Sequence, residues 1–419
     1  MLKLRLIYLL FCILYGHIIV AQLDGGLLGI LKPEGVQVSL PGLLGLGGKK
    51  TTKAPVTTTT SQTTTTTTTT TTPTPSTTSK TKKPTDTSCG YTQTIVNGKR
   101  SCRGKLIFQE NFAKIMDNKW AKEIKFAGQP DYEFTIYQNN EQNLYLVKNT
   151  LHIRPTLTDD KYGEGYVTGS EELNLGDECT GEPTTQECVQ TPKAWQILPP
   201  TISGLLTTKN RLSFIYGIVE IRARLPQGDW IYPELYLKPK SNFYGIGYDS
   251  GLIKIAFTPG NANMSKLLSG GVVLGQSDFG RSYGIKTLDS HVRWNQDFHV
   301  FKVEWKPDAI IFSVDNEVYG TVEAPENGFA TLQELELEPD VTEKWQKGSK
   351  LAPFDKEMYL ALGVGVGGLV FPDGVDLAKP WENGNPKGPL QFYRKKDVWY
   401  QTWSDNSDMV VDYVKVWAL

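Results

Sequence analysis

The strictest constraint on the fold is a two-residue period of apolar side chains that recurs between residues 89 and 419. In the clearest stretch, Val219, Ile221, Ala223 and Leu225 alternate with charged residues. Because successive side chains of a strand point to opposite faces, this period predicts β-strands with one buried face. The longer period that is typical of helices is scarce in this part of the chain.

Other segments with the same period are separated by Gly, Pro, Asn and Asp, which favour turns. Asp315-Asn316 predicts one such turn, and residues 332–337 and 341–346 predict short helical turns. Many strands joined by long loops are typical of an all-β sandwich or jelly roll. The further predicted strands are residues 298–305, 309–314, 318–322, 358–364 and 409–417.

A threonine-rich tract divides the chain. From residue 51 to residue 88, 22 of 38 residues are Thr, so almost no apolar surface is available for burial. Such a composition cannot offset the entropy lost on ordering, and it predicts a disordered linker. Thr with Pro is also typical of mucin-like O-glycosylated stalks, and the bare linker and the glycosylated stalk both stay open.

The segment before the linker, residues 22–50, is rich in Leu and Gly. Within it Val36, Val38 and Leu40 alternate as a single strand would. One strand cannot fold alone, so we predict that residues 22–50 are not independently folded.

The first 21 residues have the pattern of a secretory signal peptide. Lys3 and Arg5 precede an apolar run over residues 6–20, and Ala21 offers a small residue for cleavage. The run is short for a membrane span, which needs about 20 apolar residues. We therefore expect a secreted protein without a membrane span. The formal net charge of −1 argues against nucleic-acid binding, which normally needs a basic excess.

Four cysteines remain after removal of the signal peptide: Cys89, Cys102, Cys179 and Cys188. An even number in an exported chain predicts two disulfides, and short-range pairing, Cys89–Cys102 and Cys179–Cys188, is the simplest of three arrangements. Neither the Cys spacing nor the four His indicates a zinc site, and no metal or cofactor is predicted. Asn263, followed by Met264 and Ser265, is a candidate N-glycosylation site.

Several segments of residues 89–419 resemble the family 16 β-glucanases. The run Leu-Pro-Gln-Gly-Asp-Trp-Ile-Tyr-Pro-Glu-Leu-Tyr at 225–236 resembles the cleft strand of that family, and residues 297–308 resemble a second family segment. The resemblance implies a concanavalin-like jelly-roll sandwich of two antiparallel sheets with a concave glycan cleft. Further matching segments are residues 352–355, 363–368, 371–374, 379–381 and 411–414.

The pattern is also similar to the insect β-1,3-glucan recognition proteins, also called Gram-negative bacteria-binding proteins. That family joins an N-terminal glucan-binding module to a glucanase-like body. Residues 31–41 resemble the opening strand of the module, and the threonine tract stands where its remaining strands are expected. The resemblance thus implies four parts: a signal peptide (1–21), a module remnant (22–50), a linker (51–88) and a glucanase-like domain (89–419).

The catalytic strand of the family reads Glu-x-Asp-x-x-Glu after a Ser-Gly pair. Here Ser250-Gly251 is followed by Leu252, Lys254 and Phe257 at the three positions. Retaining hydrolysis needs two carboxyl groups that flank the scissile bond, one as nucleophile and one as acid and base. The resemblance therefore predicts a relative of these enzymes that does not catalyse hydrolysis.

The family places aromatic and polar side chains along its cleft, where amphipathic rings suit the apolar faces of sugars. Packing in the core is the alternative for each aromatic residue, and His299 is expected to form hydrogen bonds from the cleft side or the core. The glycan-binding residues that the resemblance implies are Trp230, Tyr232, Tyr236, His299 and Trp381.

These observations predict a recognition protein, secreted into the haemolymph, that binds microbial β-1,3-glucan or a related wall polysaccharide. The resemblance implies that it signals through a secreted serine protease. One alternative is an atypical glucanase whose catalytic groups are displaced to another segment. Glu334, Glu336 and Glu338 are candidates, because their alternation would place them on one strand face. Another is a protein-binding adaptor with a closed cleft. Exposed Trp230 and Tyr236 would favour glycan binding, and a cleft filled by Leu252 and Phe257 would favour the adaptor.

Overall fold

The computed structural model describes residues 89–419. The predicted signal peptide (1–21), the module remnant (22–50) with its strand at 36–40, and the threonine linker (51–88) lie outside the described residues.

The described residues form 24 strands, most of them short. The first twelve are β1 (Tyr91–Val96), β2 (Lys99–Cys102), β3 (Leu106–Glu110), β4 (Ala121–Lys122), β5 (Lys125–Phe126), β6 (Thr135–Tyr137), β7 (Leu144–Val147), β8 (Thr150–Ile153), β9 (Thr156–Leu157), β10 (Leu173–Asn174), β11 (Val189–Gln190) and β12 (Thr201–Ser203). The second twelve are β13 (Leu205–Thr207), β14 (Phe214–Ile215), β15 (Gly217–Arg224), β16 (Ile231–Pro239), β17 (Leu252–Phe257), β18 (Leu267–Val273), β19 (Gly284–Asp289), β20 (His299–Trp305), β21 (Ala309–Val314), β22 (Glu317–Glu323), β23 (Met358–Val366) and β24 (Met409–Trp417).

Helices in the described residues are short and lie in the connections. The α-helices are α1 (Thr158–Tyr162), α2 (Asp278–Ser282), α3 (Pro339–Gln346), α4 (Gly388–Tyr393) and α5 (Lys396–Trp399). Single turns of 3₁₀ helix occur at Tyr166–Thr168, Gly176–Glu178, Gly247–Ser250, Phe329–Thr331, Gln333–Leu335, Gly368–Val370, Tyr400–Thr402 and Asp405–Ser407.

Two large antiparallel sheets form the body. Sheet A has ten strands, eight of them in the order β19-β18-β17-β16-β23-β14-β1-β2, with β13 paired to β23 and β4 to β13. Sheet B has eight strands, in the order β22-β21-β20-β15-β24-β8-β7 with β3 paired to β24. A small sheet, β5-β6-β12-β9, contains one parallel pair, β6 with β12. The predicted all-β jelly-roll sandwich is confirmed.

The main core lies between the inner faces of the two large sheets. Sheet B contributes Val219, Ile221 and Phe301, and sheet A contributes Leu235 and Ile253, all with no exposed surface. Inward-pointing residues alternate with outward-pointing ones along β15, as the burial pattern of that strand shows. Burial of such side chains stabilises the sandwich by roughly 1.5–3 kcal/mol for each large one.

Most of the strands predicted from the sequence are confirmed within a residue or two. They correspond to β15, β20, β21, β22, β23 and β24. Asp315 and Asn316 form the predicted turn between β21 and β22, both with positive φ (50° and 70°). The helical turns predicted at 332–337 and 341–346 appear as the 3₁₀ turn Gln333–Leu335 and helix α3.

The alternative that placed Glu334, Glu336 and Glu338 on one strand face is wrong. Glu334 lies in a 3₁₀ turn, Glu336 has a left-handed backbone (φ 53°), and Glu338 immediately precedes α3. All three side chains are exposed. The three glutamates therefore lie in solvent on a loop, and they do not face one another as catalytic groups of a cleft would.

Both disulfides pair as predicted: Cys89 with Cys102 and Cys179 with Cys188. The first ties β2 to the residues just before β1, and the second closes a loop of the 176–190 region. The side chain of Asn263 is exposed, and its amide donates a hydrogen bond to Asp376 (2.7 Å). Among residues 89–419, no helix is long and apolar enough to cross a membrane.

We expect Val303→Ala to lower the free energy of unfolding by about 2 kcal/mol, because it removes two buried methyl groups from the core. Val303 has no exposed surface, whereas Val318 is 61% exposed, so Val318→Ala is the matched control. The control should change the free energy of unfolding by less than about 0.5 kcal/mol. Urea unfolding followed by tryptophan fluorescence measures both, and equal effects would contradict this assignment of the core.

Candidate functional site

The outer face of sheet A carries the three residues that the resemblance aligns with catalytic carboxylates. Leu252 and Lys254 point to this face of β17, because Ile253 and Ile255 between them join the main core. The register of β17 with β18 shifts between Lys254 and Phe257. Such a bulge turns a side chain that strict alternation would point elsewhere. Phe257 contacts the ring of Tyr232, with 5.6 Å between ring centroids.

A second, smaller apolar cluster covers the centre of this outer face. Leu252 and Tyr236 are each only 3% exposed within it. Tyr137 comes from β6 in the small sheet, which places part of that sheet over sheet A. The other members are Leu205, Tyr248, Val273 and Ala361. The centre of the face is thus filled by side chains of this chain.

Two glycines of β23 allow side chains of β16 to lie flat on the outer face. Gly365 pairs with Tyr232, and Gly363 pairs with Glu234. A Cβ at Gly365 would overlap the Tyr232 ring, and one at Gly363 would lie 2.5 Å from a carboxylate oxygen of Glu234. The absence of side chains at both glycines therefore leaves the space that the Tyr232 and Glu234 side chains occupy.

Buried acidic groups accompany the apolar cluster. Glu234, 2% exposed, accepts a hydrogen bond from the Tyr137 hydroxyl (2.9 Å). Asp131, 3% exposed, accepts hydrogen bonds from the Tyr248 hydroxyl and from Arg281 Nη1, the latter at 2.6 Å. Each of these two carboxylates is therefore held by donors of this chain.

Glu133 is the third acidic group, and it is half-buried. Burial, together with the charges of Glu234 and Asp131, raises the pKa of Glu133 to about 8. Burial likewise raises the pKa of Glu234. Like charges in a poorly solvated site disfavour simultaneous ionisation, so the site retains a proton near neutral pH.

Lys254 lies at the centre of the motif positions, half-buried, with its Nζ 5.3 Å from the centre of the Phe257 ring. Burial lowers the pKa of Lys254, although the charges of Asp131, Glu133 and Glu234 act in the opposite direction. Among residues 89–419, no carboxylate lies within ion-pair distance of this amine.

A small cavity and an open groove lie beside these groups. The cavity holds about 40 Å³. Its lining includes Asp131, Glu133, Glu234, Tyr236 and Leu252. At about 10–15 Å³ for each water, the cavity has room for about three waters and none for a sugar ring.

The groove holds about 490 Å³ and shares lining residues such as Tyr248, Leu252 and Lys238 with the small cavity. The loop closed by the Cys179–Cys188 disulfide contributes Glu182 and Glu187 to its wall. Its other lining residues include Lys125, Lys209, Gln129, Asn242, Ile246 and Tyr359. A larger open pocket of about 870 Å³ lies beside β7 at the edge of sheet B and shares no lining residue with the groove.

The structure places the predicted glycan-binding aromatics in packed surroundings. Trp230 (3% exposed) and Trp381 (4% exposed) contact each other and Phe371, and Tyr232 has no exposed surface. Tyr236 lines the small cavity, and its buried hydroxyl has no hydrogen-bond partner among the described residues. Their ring faces are covered by this chain, so glycan contact through these rings stays a prediction.

His299 lies elsewhere. It begins β20 in sheet B, its Nδ1 is 2.6 Å from Asp315, and its ring contacts Trp294. This position agrees with the expected hydrogen-bonding role, but it is not on the outer face of sheet A with the cavity and the groove. His299 and Tyr236 therefore lie on different sheets, and glycan contact by His299 stays a prediction.

Sequence reasoning did not single out Asp131, Glu133, Tyr248 or Arg281. The first two lie in an irregular segment without any period, and the other two lie in short helical turns. The one local signal was the short run of acidic and aromatic residues from Asp131 to Tyr137. Their contacts join residues more than a hundred positions apart, and local patterns do not reveal such contacts.

Comparison with known proteins gives a consistent set of relatives. The family model for glycosyl hydrolases family 16 matches residues 178–343. A β-1,3-glucan-binding protein of Tenebrio molitor is 47% identical over 335 residues, covering 80% of this chain and 69% of that protein. A β-1,3-glucan-binding protein 1 of Galleria mellonella is 42% identical over 323 residues, covering 76% of this chain and 64% of that protein.

Gram-negative bacteria-binding protein 1 of Drosophila melanogaster is 33% identical over 343 residues, covering 76% of this chain and 65% of that protein. The chain thus spans about two thirds of the length of these three relatives. Among solved structures, the laminarinase of Rhodothermus marinus aligns with a TM-score of 0.48 at 21% identity, over 75% of this chain and 98% of that one.

We expect Glu133→Gln to remove a pH dependence of stability. A carboxyl group whose pKa is raised in the folded state binds its proton more tightly there than in the unfolded chain. Its contribution to stability is therefore present at low pH and is lost as pH rises from the ordinary value of 4.5 towards about 8. The melting temperature of the variant should exceed that of the wild type increasingly between pH 5 and pH 9.

Thermal unfolding monitored by circular dichroism at a series of pH values measures this difference. Glu334→Gln, at an exposed position, is the control and should shift the melting temperature equally at all pH values. If the melting temperature of Glu133→Gln also differed from that of the wild type by the same amount at every pH, the retained proton at this site would be contradicted.

Proposed function

The chain belongs to the β-1,3-glucan-binding protein family, and on this premise we propose that it is a secreted recognition protein that binds β-1,3-glucan or a related microbial wall polysaccharide without hydrolysing it. The observation that carries the proposal is the absence of carboxylates at Leu252, Lys254 and Phe257 in a chain of this family. Leu and Phe offer neither a nucleophile nor a proton, and general acid–base catalysis alone contributes about 10²–10⁴-fold to rate.

The displaced-enzyme alternative has a candidate pair in Glu133 and Glu234. The surroundings of these groups argue against that role. Glu234 is bonded to Tyr137, and both carboxyl groups line a cavity of about 40 Å³ that has no room for a sugar between them. In a retaining enzyme the two carboxyl groups stand on the two sides of a scissile bond, about 5–5.5 Å apart. Because no sugar fits between Glu133 and Glu234, these two groups cannot flank such a bond.

The groove beside this cavity is the binding surface we propose. Its lining combines apolar and aromatic side chains, Ile246 and Tyr359, with hydrogen-bond donors such as Asn242 and Lys238. Sugar rings present apolar C–H faces and a polar rim of hydroxyl groups, so a surface of this mixed kind suits them. Ile246 is 65% exposed and therefore available for contact.

A protein-binding adaptor with a closed cleft is the second candidate function. Its support is the burial of Trp230, Tyr236 and Leu252, each 3% exposed; Tyr236 and Leu252 belong to the cluster that fills the centre of the outer face. The adaptor and the recognition protein differ in what the groove binds, so a direct binding measurement separates them.

Secretion and signalling complete the proposal. The signal-peptide pattern of residues 1–21 and two disulfides, which persist in oxidising compartments, support export to the haemolymph. We propose a secreted serine protease as the protein partner that passes the signal on. The family names of the relatives support the recognition role and leave this partner to experiment.

We expect the full-length secreted protein to sediment with insoluble curdlan and to release no reducing sugar from laminarin. Ile246→Asp should weaken sedimentation about tenfold or more, because it places a charge on the apolar part of the groove; tenfold corresponds to about 1.4 kcal/mol. Val292→Asp is the matched control, since Val292 is 64% exposed in another loop.

Each other outcome has a definite meaning. An equal loss of curdlan sedimentation in Ile246→Asp and Val292→Asp would contradict the groove as the binding surface. Failure of the wild type to bind curdlan would favour the adaptor. Sugar release that disappears in Glu133→Gln would show a displaced active site and overturn the proposal.

A further inference from the structure

Four basic residues lie close together at one edge of sheet A, and the proposed recognition function uses none of them. Lys99, Arg100, Arg103 and Lys105 fall within seven residues of the chain, and all four are exposed. The first two belong to β2, the last strand at that end of the sheet. Among residues 89–419, the charged group of each of the four has neither a hydrogen-bond partner nor an ion pair. Positive charge that is concentrated without a counter-charge attracts anions.

Two of these residues line an open pocket of about 390 Å³. The lining consists of Tyr91, Thr92, Gln93, Arg100, Arg103 and Leu419. No Asp or Glu is among these residues, so the two arginines share the pocket without an acidic side chain. The pocket has no lining residue in common with the groove that we propose for β-1,3-glucan. It is therefore a separate place on the surface, and its charges favour an anionic ligand.

The main chain around this pocket is held in place before any ligand binds. The disulfide between Cys89 and Cys102 ties the start of β1 to the end of β2. The backbone amide of Arg103 donates a hydrogen bond to the carbonyl oxygen of Gly90 (2.8 Å). Both links join the arginine side of the pocket to the side formed by β1. A surface that is preorganised in this way loses less conformational freedom when it binds a ligand.

Charged residues on an edge strand also have a purely structural role, because they discourage pairing with another sheet. That role needs only exposed charges along β2. It does not account for Arg103, which lies beyond the end of β2, or for a pocket whose other wall comes from β1. The glutamate that contacts this hairpin does not neutralise it either. Glu357 accepts a hydrogen bond from the Gly98 amide (2.9 Å) and pairs with Lys240 (2.6 Å).

Tyr91 adds an aromatic ring to the charges of the pocket. This residue is 63% exposed, so its ring is available for contact. Sugar rings present apolar C–H faces that suit such a ring, and the exposed amide of Gln93 suits hydroxyl groups. Sulfated polysaccharides combine sugar rings with fixed negative charges. A polymer such as poly(glycerol phosphate) carries the charges without the rings, so it matches only part of this surface.

From these observations we propose that the pocket beside β1 and β2 binds a sulfated polysaccharide of the glycosaminoglycan type. Arg100 and Arg103 bind sulfate groups through charge-assisted hydrogen bonds, for which the planar guanidinium group is well suited. Tyr91 packs against a neighbouring sugar ring. Lys99 and Lys105 flank the pocket in the chain and extend its positive charge along a polymer. The ligand differs in kind from β-1,3-glucan, which carries no charge, and its site is separate from the groove.

The experiment measures binding of the full-length secreted protein to immobilised heparin by surface plasmon resonance at physiological salt. We expect the double variant Arg100→Ala/Arg103→Ala to bind about tenfold or more weakly, because it removes both guanidinium groups from the pocket. The matched control is Lys148→Ala/Lys266→Ala. It removes the same net charge from two exposed lysines that line neither this pocket nor the groove, and it should weaken binding less than about twofold.

Three further measurements test the chemistry of recognition. Desulfated heparin keeps the sugar rings and carboxylates, and it should bind about tenfold or more weakly than heparin. Tyr91→Ala should weaken binding of heparin and leave binding of poly(glycerol phosphate) unchanged, because only heparin offers a ring to the tyrosine. The salt dependence of heparin binding should be less steep in the double arginine variant, since fewer counterions are released on binding. Melting temperatures equal to that of the wild type establish that each variant is folded.

Four outcomes would overturn the proposal. The first is a wild-type protein that does not bind heparin at physiological salt. The second is equal heparin affinity in the double arginine variant and the double lysine control, and the third is equal affinity of the wild type for heparin and desulfated heparin. The fourth is binding of poly(glycerol phosphate) or single-stranded DNA as tight as that of heparin, because the pocket would then select charge alone.

The same variants keep this site distinct from the groove. Curdlan sedimentation of Arg100→Ala/Arg103→Ala should equal that of the wild type, because the pocket and the groove share no lining residue. Conversely, Ile246→Asp should bind heparin as the wild type does. A wild type that binds heparin through the arginines but does not bind curdlan would contradict the groove and support this site.

Discussion

The antiparallel register between β16 and β23 decides which side chains stand on the outer face of sheet A. The two strands pair along their whole length, from Ile231 opposite Val366 to Pro239 opposite Met358. A shift by one residue would exchange the inner and outer faces of the strand. The observed register places Leu235 and Leu237 in the main core and leaves Glu234 and Tyr236 on the outer face. The positions of Glu234 and Tyr236 in the candidate site follow from this alternation.

The same constraint explains how residues on the outer face of sheet A can differ without disturbing the sandwich. Leu252, Lys254 and Phe257 belong to the outer-face set of β17, whereas the sandwich is held by the inward Ile253 and Ile255. Substitutions on one face are therefore largely independent of the packing on the other. The acidic groups near the site lie in an irregular segment and on β16, and protein donors hold two of them, Asp131 and Glu234.

Much of the fold could be predicted from the sequence, because strand period and turn residues are local signals. β15, β20, β21 and the Asp315-Asn316 turn are examples. The environment of the aromatics could not be predicted in this way. Trp230 is covered by Phe371 and Trp381, which lie about 140 residues or more further along the chain, so its burial depends on tertiary contacts. Asp131 and Glu133 gave no periodic signal, because they lie in an irregular segment.

The position of β24 has a consequence for biosynthesis. This strand follows the other described strands in chain order, and it pairs with β15 on one side and with β8 and β3 on the other. Until residues 409–417 have been synthesised, β15 presents one unpaired edge of eight residues. An exposed edge of that length is a template for intermolecular pairing. A stop codon just before Met409 would therefore release a product with this edge exposed, and that product would be prone to aggregation.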